Sequence, residues 1–147
     1  VTESIDFQGT DAWLLLSIIA GGGTDGATLY DIISTCDGLN HAVFVESELE
    51  SGFARLSAGG LIEERERRFR PTERATVLYR KAEPAGNSHE ALDALRRLLG
   101  ADRLPGDQPH PNPKNTLSYP GFSSEAVREA VEQWYAEGRR ILENLRK

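Results

Sequence analysis

The first fifty-four residues contain no lysine and no arginine. They carry nine acids, Glu3, Asp6, Asp11, Asp25, Asp31, Asp37, Glu46, Glu48 and Glu50, a charge of −9. All 17 bases lie from Arg55 onward beside 14 acids, which gives +3 there and −6 for the chain. Nucleic-acid domains usually show the opposite footprint, a basic face, so the charge of the first third counts against ordinary DNA binding without forbidding it. Cysteine is nearly absent, and the lone Cys36 rules out an intrachain disulfide. His41, His89 and His110 stand far apart, in no metal-ligand spacing with each other or with Cys36. No apolar run approaches the roughly 18 residues of a membrane helix. The best run, Trp13 to Ala20, has no basic flank before it and is not a signal peptide. The expectation is a cytoplasmic protein with no membrane partner. No nucleophile, base and oxyanion donor fall into a recognisable arrangement, so neither an enzyme nor a cofactor is expected. Gly21-Gly22-Gly23 with Thr24 and Gly26 lacks a lysine and follows a helix, which makes it a turn rather than a phosphate loop.

What is present reads as a mainly α chain with one small hairpin. Its 147 residues suit one domain with an appendage, and 39% apolar with 27% charged residues is ordinary for a globule. Thr10 is expected to cap a first helix whose apolar residues are Ala12, Leu15, Leu16 and Ile19, widened by Trp13 and Leu14. Gly26, Ala27 and Thr28 are expected to form a very short strand. Thr28 and Asp31 have the spacing of a capping box and open a second helix carrying Leu29, Ile32, Ile33 and Cys36, ended by Asp37-Gly38. Cys36 shares that apolar stripe and reads as a buried core residue rather than a redox sensor. A third helix over about 45–58 buries Val45, Leu49, Phe53 and Leu56. Two strands, 61–66 and 68–70, meet at a tight turn near Arg67. Pro71 closes the hairpin, and Thr72 starts a helix with Ala75, Leu78 and Tyr79.

Beyond Lys81 the character changes. A linker over 83–87 leads to a helix capped by Ser88 with Leu92, Leu95 and Leu99 on one face. The stretch 101–122 holds five prolines, and Leu117, Tyr119 and Phe122 are its expected docking points. The last helix carries Val127, Val131, Trp134, Gly138, Ile141 and Leu145 at heptad spacing, a packing seam for a homodimer or for the 92–99 face. Trp134 and Tyr135 read as packing rather than as a small-molecule pocket. The units are thus 10–82, 83–122 and 123–147.

Four segments carry a family likeness: Leu14-Leu15-Leu16-Ser17-Ile18-Ile19 before the glycines; Gly26-Ala27-Thr28-Leu29-Tyr30-Asp31-Ile32; Leu56 with Gly60-Leu61-Ile62-Glu63; and Arg68-Phe69-Arg70-Pro71-Thr72-Glu73. In this order and spacing, the stretch 11–81 resembles winged helix-turn-helix transcription regulators of the PadR and MarR type. The resemblance implies a winged-helix fold, a role in transcription regulation and a dimer formed by C-terminal helices. In such regulators the third helix enters the major groove. Here its outward face would be Ser47, Ser51, Ala54 and Ala58, with Arg55 at the edge as the single cation and Glu48 and Glu50 flanking. A carboxylate about 7 Å from a phosphate costs only ~0.6 kcal/mol in water, but two or three remove the nonspecific attraction that DNA binding relies on. The wing is the basic part: Arg65, Arg67, Arg68 and Arg70, with Arg74 on the next helix. The DNA-contact candidates are therefore Ser47, Ser51, Arg55, Arg65, Arg67, Arg68, Arg70 and Arg74, and the expected function is a dimeric DNA-contacting regulator. The alternative is an adaptor whose acidic third helix meets protein instead.

Overall fold

The computed structural model describes residues 5, 7–40, 46–82, 87–100 and 122–146. Their elements follow the order α1 (Gly9–Gly22), α2 (Leu29–Asn40), α3 (Glu46–Ala58), β1 (Ile62–Arg65), β2 (Arg68–Pro71), α4 (Glu73–Ala82), α5 (Ser88–Leu99) and α6 (Ser124–Leu145). This is the mainly helical architecture with one small hairpin that the apolar periodicity predicts, and it is compatible with a winged helix.

α1 is the central element. Every residue from Asp11 to Ile18 is buried, because α2, α3, β2 and α5 all pack around it. It starts at Gly9, not at Thr10. Gln8 is its N-cap, and Asp11 reaches back to accept from the Gln8 backbone N–H at 2.7 Å. The polar groups this burial traps are satisfied: Trp13 Nε1 donates to the Cys36 carbonyl at 3.1 Å, and Ser17 Oγ donates to the Trp13 carbonyl at 2.8 Å.

α2 opens on the expected reciprocal cap. Asp31 accepts from the Thr28 N–H at 3.0 Å, and Thr28 Oγ1 accepts from the Asp31 N–H at 3.1 Å. Asp37-Gly38 does not end it, for the helix continues to Asn40. Cys36 is fully buried. Ahead of the helix, Ala27 exchanges two backbone hydrogen bonds of 2.7 Å with Phe69, so the short strand exists as a single bridge onto β2.

α3 buries Leu49, Phe53 and Leu56 as its spacing requires. It lies close to α1 at Gly52, where an added Cβ would come within 2.6 Å of Leu14 Cδ2, so any larger residue there requires Leu14 to move. β1 and β2 pair antiparallel with Ile62 opposite Pro71, Glu63 opposite Arg70, Glu64 opposite Phe69 and Arg65 opposite Arg68. Phe69 points inward and meets Phe53 edge-on, ring centroids 4.8 Å apart.

α5 is capped by the Asn87 side chain, which accepts from the Glu90 N–H, one residue before the expected Ser88. It buries Leu92 and Leu95 against α4 and α1. α6 does not fold back onto that leucine face. It packs chiefly on α2 and touches α3, with Val127 and Ala130 buried and Val131 and Trp134 partly covered. Phe122, one of the expected docking points, stacks on Phe53 with centroids 4.5 Å apart. Leu117 and Tyr119 lie outside the described residues, as do Val45, His41 and His110.

Candidate nucleic-acid interface

The hairpin gathers most of the basic candidates on one surface. Strand alternation sends Ile62 and Phe69 to the core, which puts Glu63, Arg65, Arg68 and Arg70 on the other face. The connection Glu66-Arg67 turns with both residues at positive φ, 53° and 64°, the geometry of a two-residue hairpin turn. Neither is a glycine, so each sits in a left-handed conformation that costs on the order of 1 kcal/mol. The turn holds Arg67 at the far end of the hairpin. Arg65, Arg67 and Arg68 are exposed there, and Arg65 stands directly across the ladder from Arg68.

The four hairpin arginines are not equivalent. Arg68 is tethered at its guanidinium: Nη1 donates to the Gly26 carbonyl at 3.3 Å and lies 4.0 Å from Asp31. Arg70 is half-buried, and its Nε is enclosed without a hydrogen-bond partner. Arg65 and Arg67 make no ion pair among the described residues. Arg74 leaves the cluster. Its guanidinium donates to the Gly59 carbonyl at 2.9 Å and lines an open groove with Phe7, Leu61, Val77, Leu78, Leu98 and Leu99, on the α4–α5 side.

Arg55 requires a correction. It is not a cation on the outer edge of α3 but is 7% exposed, and Asp11 beneath it is fully buried. Arg55 Nε donates to Asp11 Oδ2 at 2.6 Å and Nη2 to Oδ1 at 2.9 Å, a two-pronged ion pair joining α3 to the first turn of α1. Burial pushes the Asp11 carboxyl above its ordinary value, opposed by the Arg55 guanidinium and the Gln8 N–H. The single base of α3 is therefore committed to the core, and no cation is left on the helix surface. Ser47 and Ala58 are exposed, while Ser51 and Ala54 are half-buried.

Reading the sequence alone missed the pair and the glycine that permits it. One signal was available: an isolated arginine after fifty-four residues without a base, three positions from Gly52, on a helix otherwise rich in acids. Among the described residues, no group of histidine, cysteine or acidic side chains could hold a metal ion, and no helix is long and apolar enough to cross a membrane. Compared with protein-family models, with curated proteins and with solved structures, the chain finds no match.

Proposed function

We propose that this chain is a dimeric winged-helix regulator that works in the cytoplasm and contacts the phosphate backbone of DNA through its hairpin wing, without reading bases from α3. One observation carries the proposal: Arg65, Arg67 and Arg68 are grouped at the exposed end of the hairpin, with Arg65 and Arg68 directly opposed. Like charges opposed across a ladder destabilise it, and a phosphate seated between them offsets that cost. Base reading needs Arg, Lys, Asn or Gln at the groove. The outward residues of α3 are Ser47, Ser51, Ala54 and Ala58, and Arg55 is held by Asp11. The contact is electrostatic, weak and indifferent to sequence.

Salt dependence tests this directly. Changing Arg67 and Arg68 together to alanine weakens binding equally for unrelated duplexes and flattens the slope of log K against log salt by about 2 units per protomer. Fluorescence anisotropy over a salt series gives both quantities. A double variant that binds like the wild type removes the hairpin from the interface.

A second reading, a winged-helix adaptor without DNA, is favoured by the Arg55–Asp11 pair, which leaves α3 with small side chains and flanking acids on its surface. Small residues admit close approach of another backbone, and Glu48 and Glu50 favour a basic partner over phosphate. Ala54→Arg separates the readings. At a protein contact it clashes and lowers stability or assembly. Stronger DNA binding with unchanged melting returns α3 to the groove.

A further inference from the structure

Among the described residues, only the first part of α6 is packed on the other elements. Val127 and Ala130 are buried, but Tyr135, Ile141, Leu142 and Leu145 are 52%, 57%, 59% and 76% exposed. From Ala130 the helix continues for about 22 Å to its end at Leu145. An isolated helical segment of this length is marginal in water, because helices in proteins draw their stability from packing an apolar face. Gly138, in the middle of it, costs roughly a further 1 kcal/mol relative to alanine. Among the described residues, an added Cβ at Gly138 would meet nothing within 4 Å, so no contact with them explains the glycine.

The pattern around Gly138 identifies what covers this face. Apolar residues stand at equal distances on either side of it: Tyr135 and Ile141 three residues away, Trp134 and Leu142 four, Val131 and Leu145 seven. These spacings place all six on one face of the helix with Gly138 at its centre. A two-fold axis through Gly138 exchanges the members of each pair, so every apolar residue lands against an apolar residue of an identical helix running the other way. Charge gives the same answer. From Glu125 to Glu137 the helix holds four acids and Arg128, net −3; from Arg139 to Leu145 it holds Arg139, Arg140 and Glu143, net +1, with Arg146 capping its end. An antiparallel pair sets the acidic half of each helix against the basic end of the other, with Glu137 beside the partner's Arg139, whereas a parallel pair sets like against like. Glycine at the axis lets the two backbones approach closely where they cross.

We infer that α6 is the interface for a second copy of this chain, packed antiparallel with the two helices crossing at Gly138. The inference rests on the dimeric part of the function proposed above and supplies its geometry. α2 takes one edge of the seam at Val127 and Ala130, and Val131 and Trp134 each keep an uncovered edge for the partner's Leu145 and Leu142.

Single-cysteine cross-linking of the full-length chain tests the orientation, with the wild type, whose Cys36 is buried, as control. Helices packed 8–10 Å apart bring inward Cα atoms at the axis to within about 4–6 Å, inside disulfide range. Gly138→Cys therefore forms a covalent dimer under mild oxidation. Leu145→Cys does not, since the two positions lie about 21 Å apart in an antiparallel pair. Cross-linking of both variants indicates a parallel pair and overturns the proposal, as does cross-linking of neither. Leu142→Glu, at a site exposed in the single chain, leaves the circular dichroism unchanged and weakens the dimer about thirtyfold or more in sedimentation. A wild type that sediments as a monomer at concentrations on the order of tens of micromolar also overturns it. No DNA enters these measurements, so the interface can fail while the hairpin contact stands, and the reverse.

Discussion

Asp11 and Arg55 are the charged side chains buried among the described residues, and their geometry offsets the cost of burying them. The two-pronged contact at 2.6 and 2.9 Å meets both carboxylate oxygens, and the Gln8 N–H supplies a third hydrogen bond. Removing one partner leaves a buried charge without compensation, so Asp11→Ala destabilises the fold by about 3 kcal/mol or more. Replacing both partners, as Asp11→Leu with Arg55→Met, recovers most of that loss. A deficit of about 1 kcal/mol remains, because the cap contact to Gln8 is gone as well. Chemical denaturation of the three variants checks this, and a double variant no better than the single one refutes it. The pair also sets a pH dependence. With the Asp11 carboxyl raised by burial, the folded state holds its proton at a higher pH than the unfolded chain does. The stability this group contributes is full below the unfolded value near 3.8 and is lost as pH rises through the raised folded value. Relative to Asp11→Asn, which cannot titrate, the wild type gains stability as pH falls from about 7 toward 4.5. Urea midpoints of the two proteins across that range report the sign; a relative loss on acidification means that the guanidinium outweighs burial.

The hairpin joins its two short strands by a turn that neither of its residues favours. Asn-Gly suits the left-handed geometry of Glu66 and Arg67 far better. Exchanging the two residues for Asn-Gly stabilises the protein by about 1 kcal/mol and raises its melting temperature by roughly 4 °C. The same exchange weakens DNA binding, since it deletes Arg67. Higher melting with undiminished DNA binding separates the strain from the function and counts against the wing. How far such features were legible in the sequence follows from how local their causes are. The Thr28–Asp31 cap, the Leu49, Phe53 and Leu56 positions of the α3 stripe and the inward Phe69 depend on neighbours within a few residues, and these stand where the spacing puts them. The extent of α2 was misread because Asp37-Gly38 is a local stop signal, while the Trp13 bond to the Cys36 carbonyl and the packing of α6 come from distant parts of the chain. Arg55 was misplaced for the same reason. A helical wheel sorts residues by angle but does not show a carboxylate forty-four positions earlier in the chain.

Across the whole molecule, an acid-rich first third stands against bases spread over the hairpin, the end of α4 and the second half of α6, and the number of hairpins that DNA meets becomes the deciding quantity. The first fifty-four residues carry nine acids and no base, and the Asp11–Arg55 pair offsets one of those charges. One wing with Arg65, Arg67 and Arg68 is a weak anchor against that background. A salt slope of about −2.7 is expected for three phosphate contacts. Two wings carried by one α6-paired dimer double it to about −5, and the second contact forms intramolecularly once the first is made, which multiplies the apparent affinity without any new chemistry. Leu142→Glu touches neither hairpin. If pairing through α6 links the wings, this variant halves the salt slope on a long duplex and lowers the apparent affinity by about a hundredfold. On a duplex too short to reach both wings, wild type and variant bind alike. Anisotropy with the two duplexes distinguishes the outcomes. Equal slopes for wild type and Leu142→Glu on the long duplex mean that each wing acts alone, and that the dimer, if it forms, serves something other than grip on DNA.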